Sequence, residues 1–260
     1  RERVSAALAN SGFDVPSRRV TVNLSPADVR KDGTSFDLPI ALALLAATGA
    51  IEPAKLTGLM VAGELGLDGS IRPIRGTLSL ARAAARTKAR LLVPEANVAE
   101  ALLAGSRGVA AGTMLATLVA ELRNGGPKLV RADAMARAGA TTSSESPDFA
   151  DVVGQASAKR ALEIAAAGGH NVLMMGPPGT GKTMLARRLP GILPALTDDE
   201  LLEVVAIHSV GGLVIPGTIP SATPPFRAPH HTISLAGLIG GGPGPRPGEV
   251  SLAHRGVLFL

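Results

Sequence analysis

Eight consecutive residues of the chain combine glycine, lysine and threonine at a spacing that can hold a phosphate. Residues 176–183 read Gly-Pro-Pro-Gly-Thr-Gly-Lys-Thr and match the P-loop pattern G-x-x-x-x-G-K-[ST] at every fixed position. The glycines permit backbone angles that let the loop wrap a phosphate with its N–H groups. Lys182 would place its charge on the β- and γ-phosphates, and the Thr183 hydroxyl is the expected Mg²⁺ ligand. The octet therefore predicts a site for a nucleoside triphosphate with Mg²⁺.

The segments on either side of the octet are of the kind that position such a loop. The apolar run 171–175 ends at the first glycine and predicts a buried parallel strand. Residues 183–189 favour a helix, which Pro190 ends. A strand, a glycine loop and a helix together aim the N-terminus of the helix at an anion. This context argues against a chance glycine-rich loop.

Composition limits the classes of protein to consider. The chain has 260 residues, of which 46% are hydrophobic, so it can bury a sizeable core in one large or two ordinary domains. It has no uninterrupted apolar run long enough to cross a membrane and no visible signal peptide, so we expect no membrane partner. The absence of cysteine excludes disulfides and thiolate metal sites and fits a cytoplasmic protein.

The charge of the chain is compatible with nucleic-acid or nucleotide partners. The formal net charge is +5 at pH 7, while Trp and Tyr are absent and Phe numbers only 5. An aromatic platform that stacks on bases is therefore not expected. Basic side chains and the backbone would have to make any contact with DNA or RNA.

Composition also divides the chain into domains. Residues 1–123 mix predicted helices and strands, residues 124–149 have the Gly, Ser, Thr and Pro content of a flexible linker, and residues 150–260 hold the P-loop. The predicted elements before the linker are helices over 2–11, 38–48 and 77–88, strands over 19–24 and 90–93, and a hairpin over 59–74 that turns at Asp68-Gly69. Residues 95–103 and 113–122 complete this domain. The expected fold class is α/β, with an α+β domain followed by a doubly wound parallel sheet.

Two further segments are more specific than the octet. Residues 225–242 read Pro-Phe-Arg-Ala-Pro-His-His-Thr-Ile-Ser-Leu-Ala-Gly-Leu-Ile-Gly-Gly-Gly, and residues 247–260 read Pro-Gly-Glu-Val-Ser-Leu-Ala-His-Arg-Gly-Val-Leu-Phe-Leu. Together they resemble the magnesium-chelatase-like AAA+ ATPases and, within these, the bacterial YifB/ComM group. The resemblance covers almost the whole chain, and the first domain resembles the Lon-protease-like domain of that group.

The resemblance implies a nucleotide site on particular residues. In AAA+ ATPases a short segment before the first core helix packs against adenine, and Asp151-Val-Val-Gly-Gln155 precedes a predicted helix over 156–167. An ordinary loop before a helix is the alternative. The implied cofactors are ATP and Mg²⁺, with Thr183 as the metal ligand. The implied nucleotide-binding residues are Val152, Val153, Gly176, Pro177, Pro178, Gly179, Thr180, Gly181, Lys182, Thr183 and Met184.

For function, the resemblance implies a hexameric DNA motor of the kind that drives branch migration during natural transformation. The chain does not start with Met, and Gly256-Val-Leu-Phe-Leu260 is similar to the strand that leads into the acidic Walker B pair, so we expect a fragment truncated at both ends. Such a fragment would bind ATP without efficient hydrolysis. The alternatives are a metal-chelatase motor that acts on a tetrapyrrole partner and a non-hydrolysing, nucleotide-dependent scaffold.

The first domain also poses the question of proteolysis. Lon proteases activate a serine with a lysine, and Lys31-Asp-Gly-Thr-Ser-Phe-Asp37 is similar to their serine segment, with Ser35 at the nucleophile. Leu78 stands where the lysine should be, and Lys88 is about three helical turns further on. We therefore expect no protease and interpret Ser35 as a turn or cap residue. The domain would serve oligomer contacts, or DNA binding through its arginines, many of which would simply be solvated.

Two adjacent histidines, His230 and His231, invite a metal interpretation. Neighbouring histidines on a strand or helix point apart, and no cysteine and few acids lie nearby, so the spacing does not favour a metal site. A structural or inter-subunit role is the preferred interpretation. Contact of these histidines and Arg227 with DNA or a central pore is a further hypothesis.

Overall fold

The computed structural model describes residues 2–15, 19–25, 33–105, 109–130, 147–215, 221–242 and 245–260. The chain separates into two compact units. Unit 1 comprises Arg1–Gly139 with Ile215–Ile219, and unit 2 comprises Ala140–Val214 with Pro220–Leu260. Within the described ranges, no helix is long and apolar enough to cross a bilayer.

Unit 1 alternates helices with short strands. Its helices are α1 (Glu2–Asn10), α2 (Asp37–Ala47), α3 (Thr77–Thr87), α4 (Val98–Leu102) and α5 (Leu115–Arg123), with short 3₁₀ helices at Pro53–Leu56 and Glu95–Asn97. Its strands are β1 (Leu59–Val61), β2 (Glu64–Leu65), β3 (Ile71–Arg72), β4 (Arg90–Pro94), β5 (Val109–Gly112) and β6 (Leu129–Val130).

The main sheet of unit 1 has the strand order β1-β4-β5-β6. β1, β4 and β5 are mutually parallel, with Leu91 paired to Met60 on one side and to Val109 on the other. β6 adds an antiparallel edge, and its two residues fall inside the predicted linker, of which residues 131–146 lie outside the described ranges. β4 therefore occupies the interior of the sheet.

Helices cover both faces of this sheet, because side chains along a strand alternate between faces. Leu92 of β4 packs in a buried cluster with residues of α1, α2 and α5. Leu91 and Val93 point the other way, into a cluster with Ala81 of α3 and Ala101 of α4. The result is a helix–sheet–helix arrangement with parallel strands, and it confirms the α/β class.

The predicted helices that became α1, α2 and α3, and the predicted strand that became β4, are confirmed. The hairpin is confirmed only around Asp68-Gly69, where β2 pairs with β3, because β1 instead pairs in parallel with β4. The strand predicted over 19–24 is wrong. Val22 and Leu24 remain 48% and 38% exposed, so the apolar side chains of the alternating pattern are not buried against another element.

Unit 2 is built from shorter elements. Its helices are α6 (Ala156–Gly168), α7 (Lys182–Ala186), α8 (Asp198–Gly211), α9 (Leu235–Ile239) and α10 (Glu249–Leu252), with 3₁₀ helices at Phe149–Asp151 and Leu189–Gly191. Its strands are β7 (Phe226–Arg227), β8 (Gly240–Gly241), β9 (Arg246–Pro247) and β10 (Val257–Leu258). β7 and β10 are parallel, and β8 and β9 are antiparallel.

The apolar run before the octet is the main departure from expectation. Residues 171–175 form no strand, and Leu173 and Met175 are each 85% exposed. A buried strand needs neighbours that accept its backbone hydrogen bonds, and none of the described residues supplies one to this run. The predicted buried strand is therefore wrong in this structure. The helix after the octet is also shorter than predicted, since α7 ends at Ala186 and Pro190 lies in a separate 3₁₀ turn.

Candidate nucleotide site

The octet folds into a loop that ends where α7 begins. Gly181 caps the helix in a left-handed conformation with φ 83°, and Lys182 is the first helical residue. The Lys182 side chain folds back over the loop, where Nζ donates to the carbonyls of Gly176 at 2.8 Å and Pro177 at 2.9 Å. Its ammonium group is thus held over the loop by exposed carbonyls, which an anionic phosphate could replace as the partner.

The backbone of the loop leaves donors free for an anion. Gly179 has φ 82°, a backbone conformation that favours glycine. No atom lies within 4 Å of a Cβ built there, so a steric clash is not the reason for glycine at this position. Among the described residues, the N–H groups of Gly179, Thr180 and Gly181 have no hydrogen-bond partner. Free N–H groups beside a lysine at a helix start fit a phosphate. The arrangement supports the predicted role of the octet.

The side chains that follow the lysine are also accessible. Thr183, the predicted Mg²⁺ ligand, is exposed, and its hydroxyl makes no hydrogen bond within the described ranges. Met184 is 38% exposed, and its Cε lies 3.1 Å from a Cβ built at Gly181. A hydroxyl one residue after the lysine fits the oxygen-rich coordination that Mg²⁺ takes beside phosphates.

The structure separates the two valines that were predicted to contact adenine. Val152 is only 3% exposed and packs in a cluster with Phe149, Leu162 and Leu185. Val153 is 95% exposed, so its side chain is the one available to a base. Contact between Val153 and adenine stays a prediction, while Val152 anchors the segment.

Gln155 joins this segment to the phosphate loop, which sequence reasoning missed. Its Nε2 donates to the carbonyl of Thr180 at 2.8 Å. The residue takes a left-handed backbone conformation with φ 56°, which is uncommon for residues other than glycine and asparagine. Lys159, one turn into α6, also donates to the carbonyl of Val152. The Gln155 bond joins the predicted adenine segment to the phosphate loop, and the Lys159 bond joins the segment to α6.

Arg188 forms a second connection that the sequence did not reveal. Its Nε donates to the carbonyl of Asp148 at 2.8 Å, and its Nη1 donates to the carbonyl of Met184 at 3.1 Å. The Asp151 carboxylate lies 3.7 Å from Nη2. Asp148 and Asp151 also cap the 3₁₀ helix reciprocally. Arg188 therefore ties the end of α7 to the start of the adenine segment.

In unit 1, the positions compared with Lon proteases lie in a turn and at the buried start of a helix. Ser35 lies in the turn before α2, and its carbonyl accepts a bond from the N–H of Gly63 at 2.9 Å. Leu78 is fully buried, and its N–H donates to the carboxylate of Glu100 at 2.7 Å. A buried leucine cannot accept a proton, and the expectation that unit 1 is not a protease stays a prediction.

In the segment of unit 2 that contains His230 and His231, Arg227 forms an ion pair with Glu249. Arg227 donates from Nη2 to Oε1 of Glu249 at 2.7 Å, and its Nε donates to the second carboxylate oxygen. This hydrogen-bonded pair raises the pKa of Arg227 and lowers that of Glu249. In this structure Arg227 is therefore engaged with Glu249, and contact of this segment with DNA stays a prediction. The rings of His230 and His231 lie 4.1 Å apart and both residues are exposed.

Comparison with known proteins places the chain in a family. The family described as magnesium chelatase, subunit ChlI, matches residues 148–260, and the family described as subunit ChlI of Mg-chelatase matches residues 1–97. These are families of AAA+ ATPases. The whole chain is 46% identical to YifB of Salmonella typhimurium, of which it covers 50%, and 44% identical to YifB of Escherichia coli, of which it covers 50%.

A relative with an assigned cellular context is also similar. The competence protein ComM of Haemophilus influenzae is 43% identical over 262 aligned residues, which include 100% of this chain and 51% of ComM. The chain spans about half the length of the curated relatives it matches. Because similarity at this level extends over both units, the chain belongs to the YifB/ComM family of magnesium-chelatase-like proteins.

Proposed function

We propose that the chain is the ATP-binding part of an AAA+ ATPase whose full-length form is a DNA-acting motor. The observation that carries the proposal is the loop at 176–183, where the Lys182 ammonium lies among carbonyls and the loop N–H groups are free. In the bound state the loop N–H groups and Lys182 hold the phosphates, and Val153 lies beside the base. Mg²⁺ held at Thr183 would neutralise charge on the phosphates.

The action on DNA is supported by similarity to a competence protein and by the formal net charge of +5. On the basis of the same family similarity, we also propose assembly into a hexameric ring, with unit 1 as a Lon-protease-like domain and unit 2 as an AAA+ core. A metal-chelatase motor that acts on a tetrapyrrole partner is the second candidate, favoured by the printed description of both matching families.

For the 260-residue chain by itself we propose ATP binding without fast hydrolysis. Hydrolysis by P-loop enzymes needs carboxylates that organise Mg²⁺ and the attacking water. Among the described residues, neither Lys182 nor Thr183 forms a hydrogen bond or an ion pair with a carboxylate. By itself the chain would therefore behave as a nucleotide-dependent scaffold.

Binding of a fluorescent ATP analogue with Mg²⁺ tests the site. Lys182→Ala is expected to weaken binding by about 10- to 100-fold, because a charged hydrogen bond contributes about 1.5–3 kcal/mol. Lys128→Ala removes an exposed lysine in unit 1 and serves as the matched control. Equal affinity of the two variants would contradict the site.

A second experiment separates the candidate motors. In the full-length protein, ATP turnover is measured with duplex DNA and, separately, with large magnesium-chelatase subunits. Stimulation by DNA supports the proposal, whereas stimulation by the chelatase subunits alone supports the second candidate. Rapid turnover by the 260-residue chain would refute its proposed scaffold behaviour.

A further inference from the structure

One stretch of unit 1 is positively charged without any compensating acid. From Gly69 to Pro94 the sequence contains no Asp or Glu and six basic residues. This stretch comprises β3, α3 and β4. The charge is therefore concentrated on neighbouring elements of one compact unit.

The structure brings four of these residues to the end of α3 and the start of β4. Arg82 and Arg86 lie one turn apart on α3, opposite the buried Ala81 and Ala84, and both are exposed. Lys88 caps the C-terminus of α3, and Arg90, two residues later, is the first residue of β4. We call Arg82, Arg86, Lys88 and Arg90 the α3 basic surface.

The α3 basic surface has no internal partner. Among the described residues, none of its four side chains forms an ion pair with a carboxylate or donates a hydrogen bond. A favourable interaction with the helix dipole can explain the positive charges of Arg86 and Lys88, which lie at the C-terminal end of α3. It does not explain the charges of Arg82 and Arg90. The charges are therefore free for an external anion.

The chemistry of the surface selects the class of partner. Arginine guanidinium groups form paired hydrogen bonds with phosphate oxygens. The other exposed residues of α3 are Ser79, Ala85 and Thr87, so the face has no large apolar side chain to enter a membrane. The chain has no Trp or Tyr, which single-strand binding by base stacking generally uses.

We propose that the α3 basic surface binds the phosphate backbone of duplex DNA, independently of base sequence. The choice of DNA rests on the proposed function, whereas the basic surface itself does not. Neighbouring phosphates of a duplex lie within reach of arginines spaced by one helical turn, about 6 Å. Four contacts predict that log K falls with log salt concentration at a slope of about −3.6, or about 10²-fold between 50 and 200 mM salt.

The test measures binding of a fluorescent DNA duplex to the 260-residue chain without nucleotide, as a function of salt. The double variant Arg82→Ala/Arg86→Ala should bind more weakly and reduce the slope to about −1.8. The control variant Arg19→Ala/Lys128→Ala loses the same charge from exposed positions outside the surface and should retain the slope. The variant Arg82→Lys/Arg86→Lys should retain the slope as well, because the charges remain.

Equal weakening of the double variant and its control would overturn the proposal, because net charge alone would then explain binding. Preference for an RNA duplex, or for vesicles of anionic lipid, over duplex DNA would also overturn it, as would no binding at 50 mM salt. An unchanged urea midpoint for each variant confirms folding. ATP binding is measured separately. Failure of the unaltered chain to bind DNA, with ATP binding intact, therefore refutes this surface and leaves the nucleotide site standing.

Discussion

Unit 1 and unit 2 differ in where their apolar side chains lie. In the described part of the chain, the twelve largest fully buried side chains all belong to unit 1: Leu8, Leu38, Leu42, Leu45, Ile51, Leu65, Leu78, Leu91, Leu92, Leu115, Leu118 and Leu122. The corresponding cluster of unit 2 is formed by Phe149, Val152, Leu162 and Leu185, while Leu173 and Met175 face solvent.

This difference suggests that the large buried core and the candidate nucleotide site belong to different units. A strand buried on both faces, as β4 is, gains free energy from two helical layers. The candidate nucleotide site instead lies on exposed loops with few buried neighbours, as is common for segments that order around a ligand. Unit 2 should therefore depend on its ligand for stability in a way that unit 1 does not.

The largest expected effect is on the core of unit 1. Leu92→Ala should lower the free energy of unfolding by about 2–5 kcal/mol, because it leaves a cavity between the sheet and its helices. Leu173→Ala, at an 85% exposed position of unit 2, should change it by less than about 0.5 kcal/mol. Urea denaturation measures both. Similar losses would show that the two units do not differ as described.

The next effect is stabilisation by ligand. ATP with Mg²⁺ at 100 times its Kd should add about 2.7 kcal/mol to the stability of the unit that binds it. Hydrogen exchange should show slower opening of α6 and α7 and little change in α2 and β4. Lys182→Ala should remove the effect. An equal rise in protection in both units would contradict the prediction that ATP stabilises unit 2 alone.

A smaller effect is expected at a buried amide of unit 1. Asn97 is 3% exposed, and its side chain accepts from the N–H of Ile74 at 3.0 Å and donates to the Ile74 carbonyl at 2.9 Å. Asn97→Ala leaves two partly buried backbone groups of Ile74 without this partner and should cost about 1–3 kcal/mol. ATP affinity should not change, and a change in affinity would contradict the separation of the units' roles.

Gln155 of unit 2 should show the opposite pattern. Gln155→Ala removes the hydrogen bond to Thr180 and should weaken ATP binding by about 2- to 10-fold, the equivalent of about 0.5–1.5 kcal/mol. Gln155→Gly removes the same bond but relieves the left-handed backbone, so it should lose the same affinity with less loss of stability. Glycine that restored full affinity would indicate that the side chain does not hold the loop.

The smallest expected effects are on titration, with opposite signs in the two units. Burial raises the pKa of Asp37 above 3.8, against the opposing charge of Arg3, whose Nε lies 2.9 Å from the carboxylate. Ionised Asp37 therefore disfavours folding above its folded pKa, and this penalty disappears as the pH falls. The hydrogen bonds from Arg227 lower the pKa of Glu249 below 4.5, so its stabilisation is present above 4.5 and is lost at lower pH. Carboxyl chemical shifts against pH measure both midpoints, and a shared direction would be inconsistent with these environments.

The sequence predicts those features whose signal is local. The spacing of the octet identified the loop with its lysine, and apolar patterning located α2 and α3. β5 was missed because its Ala-Ala-Gly sequence has low strand propensity and is stabilised by pairing with β4. The bonds of Gln155 and Arg188 were missed because they join residues 25 and 40 positions apart. Burial of Val152 beside an exposed Val153 depends on the same tertiary contacts.

The exposed run 171–175 has a consequence for handling the protein. A segment with exposed apolar side chains and no backbone partners among the described residues can pair with strands of other molecules. Precipitation should therefore depend steeply on protein concentration and originate at this segment. A single charged residue, introduced by Leu173→Lys, should raise the protein concentration at which precipitation begins. It leaves the residues of the octet at 176–183 unchanged.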